Sequence, residues 1–458
     1  MAYYNPTVET LSVTELRDLQ WRRLRKHLTA TYHTNAYYRR LWDAHGAHPD
    51  KITSPEAFRA LVPVLHKQDL LADQQSAPPY GERVGASPQE LVGIYWTSGT
   101  SGIGQEFYGH TAFDALYYGH TWTHGLYWSG VRRGRRYFNT WPGSVGQLAG
   151  PDSFTRGLME LGAQAFHVGT LPTEEKVRKM VQWSPQHIAT VPAYLQRLTV
   201  ACAEAGIDPR EAFPELESIM LATESYSVDW AQRMEDAWGT RLAEMYGSTQ
   251  QGGGVAFTCE RGVAENGEAT QMHILEHLTY VEILDRETRE PVGDGEEGEL
   301  VLTTFSRDAS TLVRFATDDK VIRRDGGTCP CGRPFASFVA GNVVRYDDMM
   351  KIKMVNVWPS AIDEALLLRP EVAEYQGRVF LADNGQEAVD VVIEYKPDVP
   401  AASRGALCAE FEQVLLQRCG VRMAVAESSE MLPRFEFKVR RWTDERKAGR
   451  SRVFYTVK

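Results

Sequence analysis

The sequence predicts an α/β fold in which a large N-terminal domain combines parallel sheets with an antiparallel β subdomain and precedes a smaller α+β C-terminal domain. The chain has 458 residues, which is too long for one ordinary hydrophobic core, so at least two domains are expected. Short apolar runs alternate with amphipathic stretches between residues 137 and 222. The pattern changes after about Gly252 and again near Arg345.

Strand–helix–strand repetition supports the parallel part of this prediction, because parallel strands need a crossover between them. Residues 13–46 are predicted to be helical, since leucines recur every three to five positions between arginines and lysines. The runs 137–141, 187–191 and 218–222 are predicted as buried strands, and 152–161 and 173–183 as helices.

The second half of the chain has a different pattern. Residues 280–284 and 298–303 alternate like half-exposed strands, and 285–298 between them is predicted to be a hairpin turn. We place the domain boundary between 344 and 345, giving a large domain of residues 1–344 and a small one of 345–458. The elements predicted for the small domain are a helix at 360–368, strands at 378–381 and 389–395, and a helix at 403–419.

Composition and charge exclude several classes of function. The net charge of −10 disfavours general nucleic-acid binding. No apolar run approaches the roughly 20 residues that span a bilayer, so no membrane association is expected. The N-terminus lacks the pattern of a signal peptide, and a cytoplasmic protein is expected. Its six cysteines are then better explained by metal binding or burial than by disulfides.

A glycine- and hydroxyl-rich segment is the first chemical feature. Residues 95–104 read YWTSGTSGIG, and such a loop can surround phosphate with backbone N–H groups and hydroxyls. The Gly-Lys-Ser/Thr ending of an ordinary P-loop is absent, so a flexible surface loop is an equal alternative for this segment alone. Three later segments, in order, read MYGSTQ (245–250), LVRFATDD (312–319) and PRFEFK (433–438).

Together these four segments resemble the adenylate-forming acyl-CoA ligases in order and spacing. Other segments resemble phenylacetate-CoA ligases in particular: NAYYR (35–39), TVPAY (190–194), CPCGR (329–333), DDMMK (347–351) and VNVWPS (355–360). The resemblance covers nearly the whole chain. It implies that a carboxylic acid is joined to AMP from ATP, with pyrophosphate released, and that the acyl group then passes to an acceptor, by default coenzyme A.

The resemblance also assigns site residues. Lys438 aligns with the lysine that bridges the carboxylate and the α-phosphate, and Asp319 with the acid that binds the ribose hydroxyls. Arg345 and Asp347 align with the hinge of a mobile small domain. The nucleotide-binding residues implied by similarity are Thr97, Ser98, Gly99, Thr100, Ser101, Gly102, Glu224, Tyr246, Gly247, Ser248, Thr249, Asp319 and Arg345. Relatives are often dimers, so a homodimer is the assembly that the resemblance implies.

The aromatic side chains offer a weaker prediction. Tyr137, Trp141 and Tyr194 are candidates for the pocket of an aromatic acid, and packing in the core is at least as good an explanation for each. The sequence does not identify the acid.

Four residues form a candidate zinc site: Cys259, His273, Cys329 and Cys331. Three thiolates and one imidazole complete a tetrahedral shell, which is typical of structural rather than catalytic zinc. Related phenylacetate-CoA ligases have cysteines and a histidine at matching places. The alternative is four unrelated buried residues. We expect the other three cysteines, Cys202, Cys408 and Cys419, to lie on helices and in the core.

Three positions depart from the family pattern. The phosphate loop usually ends in Gly-Lys, but here Ile103 follows Gly102. The family motif Tyr-Gly-x-x-Glu supplies an acid to magnesium, but here it ends in Gln250, whose amide brings an oxygen without charge. Met354 stands where the family has glycine beside the tunnel for coenzyme A. The acceptor therefore stays open between coenzyme A and an amine, a carrier protein or another nucleophile. A degenerate, inactive nucleotide-binding homologue is a third alternative.

Overall fold

The structure is a computed structural model. It describes residues 3–97, 104–141, 149–222, 224–305, 308–346, 349–353, 355–382, 385–433, 439–446 and 452–456. The α-helices are α1 (Pro6–Glu9), α2 (Val13–Thr34), α3 (Ala36–Ala44), α4 (Pro55–Leu61), α5 (Lys67–Ser76), α6 (Ala112–Trp128), α7 (Ala149–Leu161), α8 (Thr173–Trp183), α9 (Pro192–Glu204), α10 (Pro209–Ala212), α11 (Val228–Trp238), α12 (Pro359–Leu367) and α13 (Ala401–Cys419).

The strands divide between two main sheets and three small pairs. In chain order they are β1 (Leu91–Trp96), β2 (Phe107–Thr111), β3 (Arg136–Asn139), β4 (Gln164–His167), β5 (His187–Thr190), β6 (Ser218–Ala222), β7 (Arg241–Gly247), β8 (Gly254–Thr258), β9 (Ala264–Glu265), β10 (Glu268–Ala269), β11 (Gln271–Ile274), β12 (Thr279–Leu284), β13 (Glu297–Thr304), β14 (Phe315–Arg324), β15 (Ser337–Val339), β16 (Val344–Arg345), β17 (Met350–Ile352), β18 (Val355–Val357), β19 (Val372–Leu381), β20 (Glu387–Tyr395), β21 (Ala424–Glu427), β22 (Val439–Asp444) and β23 (Arg452–Thr456).

The predicted N-terminal helix is two helices, because Asn35 separates α2 from α3. The Asn35 backbone N–H closes α2 on the Thr31 carbonyl at 2.9 Å. Its side-chain oxygen accepts from the Tyr38 backbone N–H at 3.2 Å and so caps α3. The Asn35 backbone thus ends α2 and its side chain caps α3, so the second helix begins one residue after the break.

The main sheet has the strand order β12-β13-β14-β15-β11-β8-β7-β6-β5-β3-β4, with β16 paired to β14. The strands from β4 to β7 are parallel, as predicted. The antiparallel strands are not a separate sheet, because β8 turns back directly beside β7 and continues the same ladder. The predicted hairpin between β12 and β13 is confirmed. The carboxyl ends of β6 and β7 therefore face the start of the antiparallel part, where α/β folds bind ligands.

A second hydrophobic core is formed by residues from Met350 to Trp442. It packs α12 and α13 against the sheet β21-β20-β19-β22-β23. The first of its predicted strands begins six residues earlier than expected, at Val372. The reason is Glu374, an acid buried inside β19 by an ion pair with Arg441 at 2.6 Å, which hides the strand from a hydrophobicity pattern. Among the described residues, no helix has the length and apolar character needed to cross a membrane.

Candidate nucleotide site and metal centre

Three of the predicted nucleotide residues meet where β7, β14 and β16 come together. Tyr246, near the end of β7, donates its hydroxyl hydrogen to Asp319 Oδ2 on β14. Arg345 on β16 is the antiparallel pairing partner of Asp319. Phe338 on β15 meets the Tyr246 ring edge-on, with ring centroids 5.6 Å apart. The hydrogen bond from Tyr246, whose ring packs against Phe338, therefore fixes the position of the Asp319 carboxylate.

The electrostatics of this group favour a neutral phenol at Tyr246. Burial and the Asp319 carboxylate hold the pKa of Tyr246 well above its ordinary value of 10.0. Tyr246 consequently stays a hydrogen-bond donor at neutral pH. The Asp319 backbone N–H also donates to the Thr317 hydroxyl at 3.1 Å. A carboxylate has about four acceptor positions, so Asp319 can still accept hydrogen bonds from a pair of ligand hydroxyls.

The turn between β7 and β8 is tight and glycine-rich. The Ser248 backbone carbonyl accepts hydrogen bonds from the backbone N–H groups of Gln251 at 3.1 Å and Gly252 at 3.0 Å. Gly247 is required here, because a Cβ atom at this position would lie 2.4 Å from the Gly253 carbonyl oxygen. Thr249 is buried in the same turn. The turn thus holds residues 247–250 in one conformation beside Tyr246.

Gln250, the predicted magnesium residue, contacts an acid that the sequence analysis missed. Its Nε2 donates to Glu106 Oε1 at 3.4 Å. The Glu106 side chain is fully buried and lies 3.1 Å from Lys67 Nζ. Thr97 donates its hydroxyl hydrogen to Glu106 Oε2, and its backbone N–H donates to the Glu106 carbonyl at 3.1 Å. An acid next to a phosphate-loop motif, at the start of an apolar strand, was the signal available in the sequence.

Glu224 has a structural contact of its own. It is half-buried, and its Oε2 accepts from the Ala193 backbone N–H at 2.7 Å. Ala193 lies in the first turn of α9, whose N-cap residue Val191 makes no side-chain cap. Glu224 therefore caps this helix from another segment and complements its dipole.

The three aromatic pocket candidates are buried among other side chains. Tyr137 and Trp141 both contact Phe154, at centroid distances of 5.2 and 4.9 Å. Tyr194 lies 3.0 Å from the Thr173 hydroxyl, with Lys176 Nζ 4.5 Å from its ring centroid. A small cavity of about 20 Å³ between α6 and the strands is lined by other residues, and neither the three candidates nor their neighbours take part in it.

The four predicted metal ligands converge. Cys259, His273, Cys329 and Cys331 are all buried, and their ligand atoms lie within 4.8 Å of one another. Cys331 Sγ is 3.4 Å from His273 Nε2. Zinc bonds of about 2.3 Å to sulfur and 2.0 Å to nitrogen at tetrahedral angles would separate such atoms by about 3.5 Å. The spacing fits a tetrahedral zinc ion.

Hydrogen bonds among these groups favour thiolates at Cys329 and Cys331, whereas the contacts with these two residues and burial raise the pKa of the Cys259 thiol. The contact with Cys259 lowers the pKa of both Cys329 and Cys331. Burial acts to lower the pKa of His273, but contacts with Cys329 and Cys331 outweigh it and raise that pKa to about 9. Arg261 Nη1 also lies 3.7 Å from Cys329 Sγ. Thiolates are the form in which cysteine binds metal.

The other cysteines lie on helices, as predicted. Cys202 on α9 and Cys419 on α13 are buried, but Cys408 is only partly buried. Its Sγ lies 3.1 Å from the Tyr395 hydroxyl. Cys408 therefore lies at the edge of the core and not inside it, which corrects the expectation for this residue. The remaining predicted residues lie outside the described part of the chain: Ser98, Gly99, Thr100, Ser101, Gly102, Asp347, Met354 and Lys438.

Comparison with known proteins supports the family resemblance. Residues 154–305 match the AMP-binding enzyme family, and residues 354–446 match the AMP-binding enzyme C-terminal domain. The phenylacetate-coenzyme A ligase of Thermus thermophilus is 29% identical over 405 residues, covering 85% of this chain and 84% of that protein.

Solved structures share the fold. A 2-hydroxyisobutyryl-CoA ligase in the postadenylation state with 2-HIB-AMP has a TM-score of 0.86 at 23% identity, over 97% of this chain and 92% of the other. The same ligase with 2-HIB-AMP and CoA in the thioesterification state has a TM-score of 0.70 at 23% identity, over 97% and 93%. The two family matches together span more than half of the sequence, in the order that the fold requires. The chain therefore belongs to the AMP-binding, adenylate-forming ligases and is like their phenylacetate-CoA ligase members.

Proposed function

We propose that this enzyme adenylates a carboxylic acid with ATP, releases pyrophosphate, and transfers the acyl group to coenzyme A. The observation that carries the proposal is the group formed by Tyr246, Asp319 and Arg345, in which a buried carboxylate is fixed at the strand edge where α/β folds bind nucleotides. The acid is proposed to be aromatic, because the similar curated proteins are phenylacetate-coenzyme A ligases.

Each residue has a defined part in this proposal. Asp319 accepts hydrogen bonds from the ribose hydroxyls, while Tyr246 holds its second oxygen. Residues 98–102 donate to the phosphates, and Thr97 holds the start of this loop through the two hydrogen bonds that it donates to Glu106. Attack of a carboxylate on a phosphate brings negative charges together, so Lys438 neutralises them at the carboxylate and α-phosphate. Ser248 and Thr249 keep the turn beside the nucleotide, and Glu224 supports α9 below it.

Magnesium is the ion that accompanies ATP in such reactions, and it neutralises phosphate charge when bound. Hard oxygen ligands suit it. The Gln250 amide and the neighbouring Glu106 carboxylate are oxygen donors of this kind, and they lie beside the tight turn at residues 247–250. Asp347 and Arg345 are proposed as the hinge between the large domain and the small domain.

Coenzyme A is favoured as the acceptor over an amine or a carrier protein, since the similar curated proteins are coenzyme A ligases. An inactive homologue is not favoured either. Met354 remains the residue through which coenzyme A access can be tested.

The structural zinc ion is part of the same proposal. The four converging ligands offer a full shell with no open position for chemistry, so the ion stabilises the fold.

The direct test measures ATP–pyrophosphate exchange with a panel of aryl and aliphatic acids, then thioester formation after addition of coenzyme A. Exchange with aryl acids and a thioester product are expected. No exchange with any acid would refute adenylation. Exchange without acylated coenzyme A would refute the acceptor, and Met354→Gly would then show whether the side chain blocks access.

A further inference from the structure

Glu106 is a buried acid that contacts three separate segments around the proposed ATP site. Its side chain is completely buried, although the residue directly precedes β2. Thr97 donates to it from the end of β1, Lys67 reaches it from the first turn of α5, and Gln250 reaches it from the turn after β7. Three separate segments of the site are thus tied to one carboxylate.

The contact between Glu106 and Gln250 has a direction. A glutamine amide has one donating end and one accepting end. Because Gln250 Nε2 donates to Glu106 Oε1, the amide oxygen of Gln250 is turned away from Glu106. A glutamate at position 250 would instead place a second negative charge at hydrogen-bond distance from the first, which is unfavourable.

The charges at this place match what the sequence analysis found missing. The family pattern has a lysine in the phosphate loop and an acid at the end of the Tyr-Gly-x-x-Glu motif. Here those positions are Ile103 and Gln250. Lys67 and Glu106 supply one cation and one acid, 3.1 Å apart, in contact with Gln250.

We propose that Glu106 is the positioning acid of the ATP site and that Glu106 and Gln250 form an acid–amide pair, in which the amide stands at the acidic position of the family motif and the acid stands at position 106. Glu106 orients the Gln250 amide so that its oxygen faces the magnesium and phosphate side, and the Glu106 carboxylate itself carries a negative charge. Lys67 balances that charge. This inference rests on the proposed function of the site.

The test compares Glu106→Gln, Gln250→Glu and the double variant Glu106→Gln/Gln250→Glu. Isothermal titration with α,β-methylene-ATP at several magnesium concentrations measures binding without turnover, and ATP–pyrophosphate exchange gives KM and kcat. Each single change should weaken magnesium-dependent binding at least about tenfold, as expected when a hydrogen bond to a charged group is lost. The double variant should return to within about threefold of the original protein, because the pair is restored in the opposite order.

Glu282→Gln is the matched control. Glu282 also forms a buried ion pair, with Arg314 at 3.0 Å, so the change should lower the melting temperature and leave magnesium-dependent binding unaltered. If Glu106→Gln alone does not fold, Lys67→Met/Glu106→Gln removes both charges together, and its binding should still have lost its magnesium dependence.

Two results overturn the inference. One is a folded Glu106→Gln variant, or Lys67→Met/Glu106→Gln in its place, that binds the analogue with the original magnesium dependence. The other is a double variant that binds no better than the worse of the two single variants. A third result would refute the proposed function instead: the original protein binds the ATP analogue but catalyses ATP–pyrophosphate exchange with none of the acids. In that case the binding measurements on the variants still decide the role of Glu106.

Discussion

Replacing Cys331 by serine tests whether the Cys/His cluster holds a zinc ion that stabilises the fold. The purified protein should contain one zinc ion per chain, and Cys331→Ser should contain much less. We choose Cys331 for this substitution because its Sγ lies 3.4 Å from His273 Nε2 and both side chains are buried. Serine keeps the volume almost unchanged but is a far poorer ligand for zinc than a thiolate.

The expected magnitude follows from linkage between binding and folding. An ion present at 1,000 times its dissociation constant stabilises the folded state by about 4 kcal/mol. At roughly 2–4 °C per kcal/mol for a protein domain, loss of that ion lowers the melting temperature on the order of 10 °C. Structural zinc sites contribute more binding free energy than this reference value of about 4 kcal/mol. The decrease of about 10 °C in melting temperature is therefore a lower bound when zinc is saturating.

The assay combines metal analysis of the purified protein with thermal unfolding before and after a chelator. Cys408→Ser is the control, since Cys408 is partly buried on α13 and lies outside the cluster. It should keep the zinc content and the response to the chelator. Original protein with far less than one zinc per chain, and no change in melting temperature on chelation, would refute the metal site.

Two further predictions concern side chains on β7, Tyr246 and Glu244. Tyr246→Phe removes the hydrogen bond to Asp319. The KM for ATP should rise about tenfold or more, as expected when a hydrogen bond to a charged group is lost, and the KM for the carboxylic acid should change little. Equal changes in both KM values would contradict a ribose-binding role for Asp319. Burial raises the pKa of Glu244 to about 7 from 4.5, against the hydrogen bonds from Tyr226 and Gly341 that lower it. Between those two values the folded protein holds a proton that the unfolded chain has released, so this group reduces stability as the pH rises from about 4.5 to 7. Relative to the original protein, Glu244→Gln should therefore gain stability across that window, by up to about 3 kcal/mol at pH 8, in chemical denaturation measured at pH 5 and pH 8; a constant difference at both pH values would refute the assignment.

The fold was largely predictable because its signals are local. The helix α8 and the strand β6 match their predicted bounds, and both have uninterrupted periodicity or a continuous apolar run. Errors arose where a single residue interrupts a regular pattern or acts through a distant partner. Asn35 ends one helix and starts the next, and Glu374 is buried in β19 by Arg441, 67 positions later. No local pattern contains that partner.

The site was predictable only where chemistry is encoded in residue type. Cysteine and histidine are rare enough that their combination indicated a metal centre before any geometry was known. Glu106 is one of 60 acidic residues, and its importance depends on Gln250, which is 144 positions away. The pocket of the acid could not be assigned with the same sharpness for the same reason, since the sequence contains many aromatic residues and core packing explains them equally well.

The proposed metal centre and the nucleotide group are connected through the antiparallel part of the sheet. Cys259 directly follows β8, His273 lies within β11, and Cys331 precedes β15 by six residues. A metal ion bound by these residues would therefore fasten three neighbouring strands at one end.

The last of these strands reaches the nucleotide group. β15 pairs with β14, the strand that carries Asp319, and its Phe338 packs against the Tyr246 ring. Loosening the metal end of β15 should release Phe338 first and then the hydrogen bond between Tyr246 and Asp319. Partial chelation should consequently raise the KM for ATP at temperatures where the protein is still folded. If affinity for ATP is lost only together with the folded state, the ion stabilises the sheet as a whole and has no separate influence on the nucleotide group.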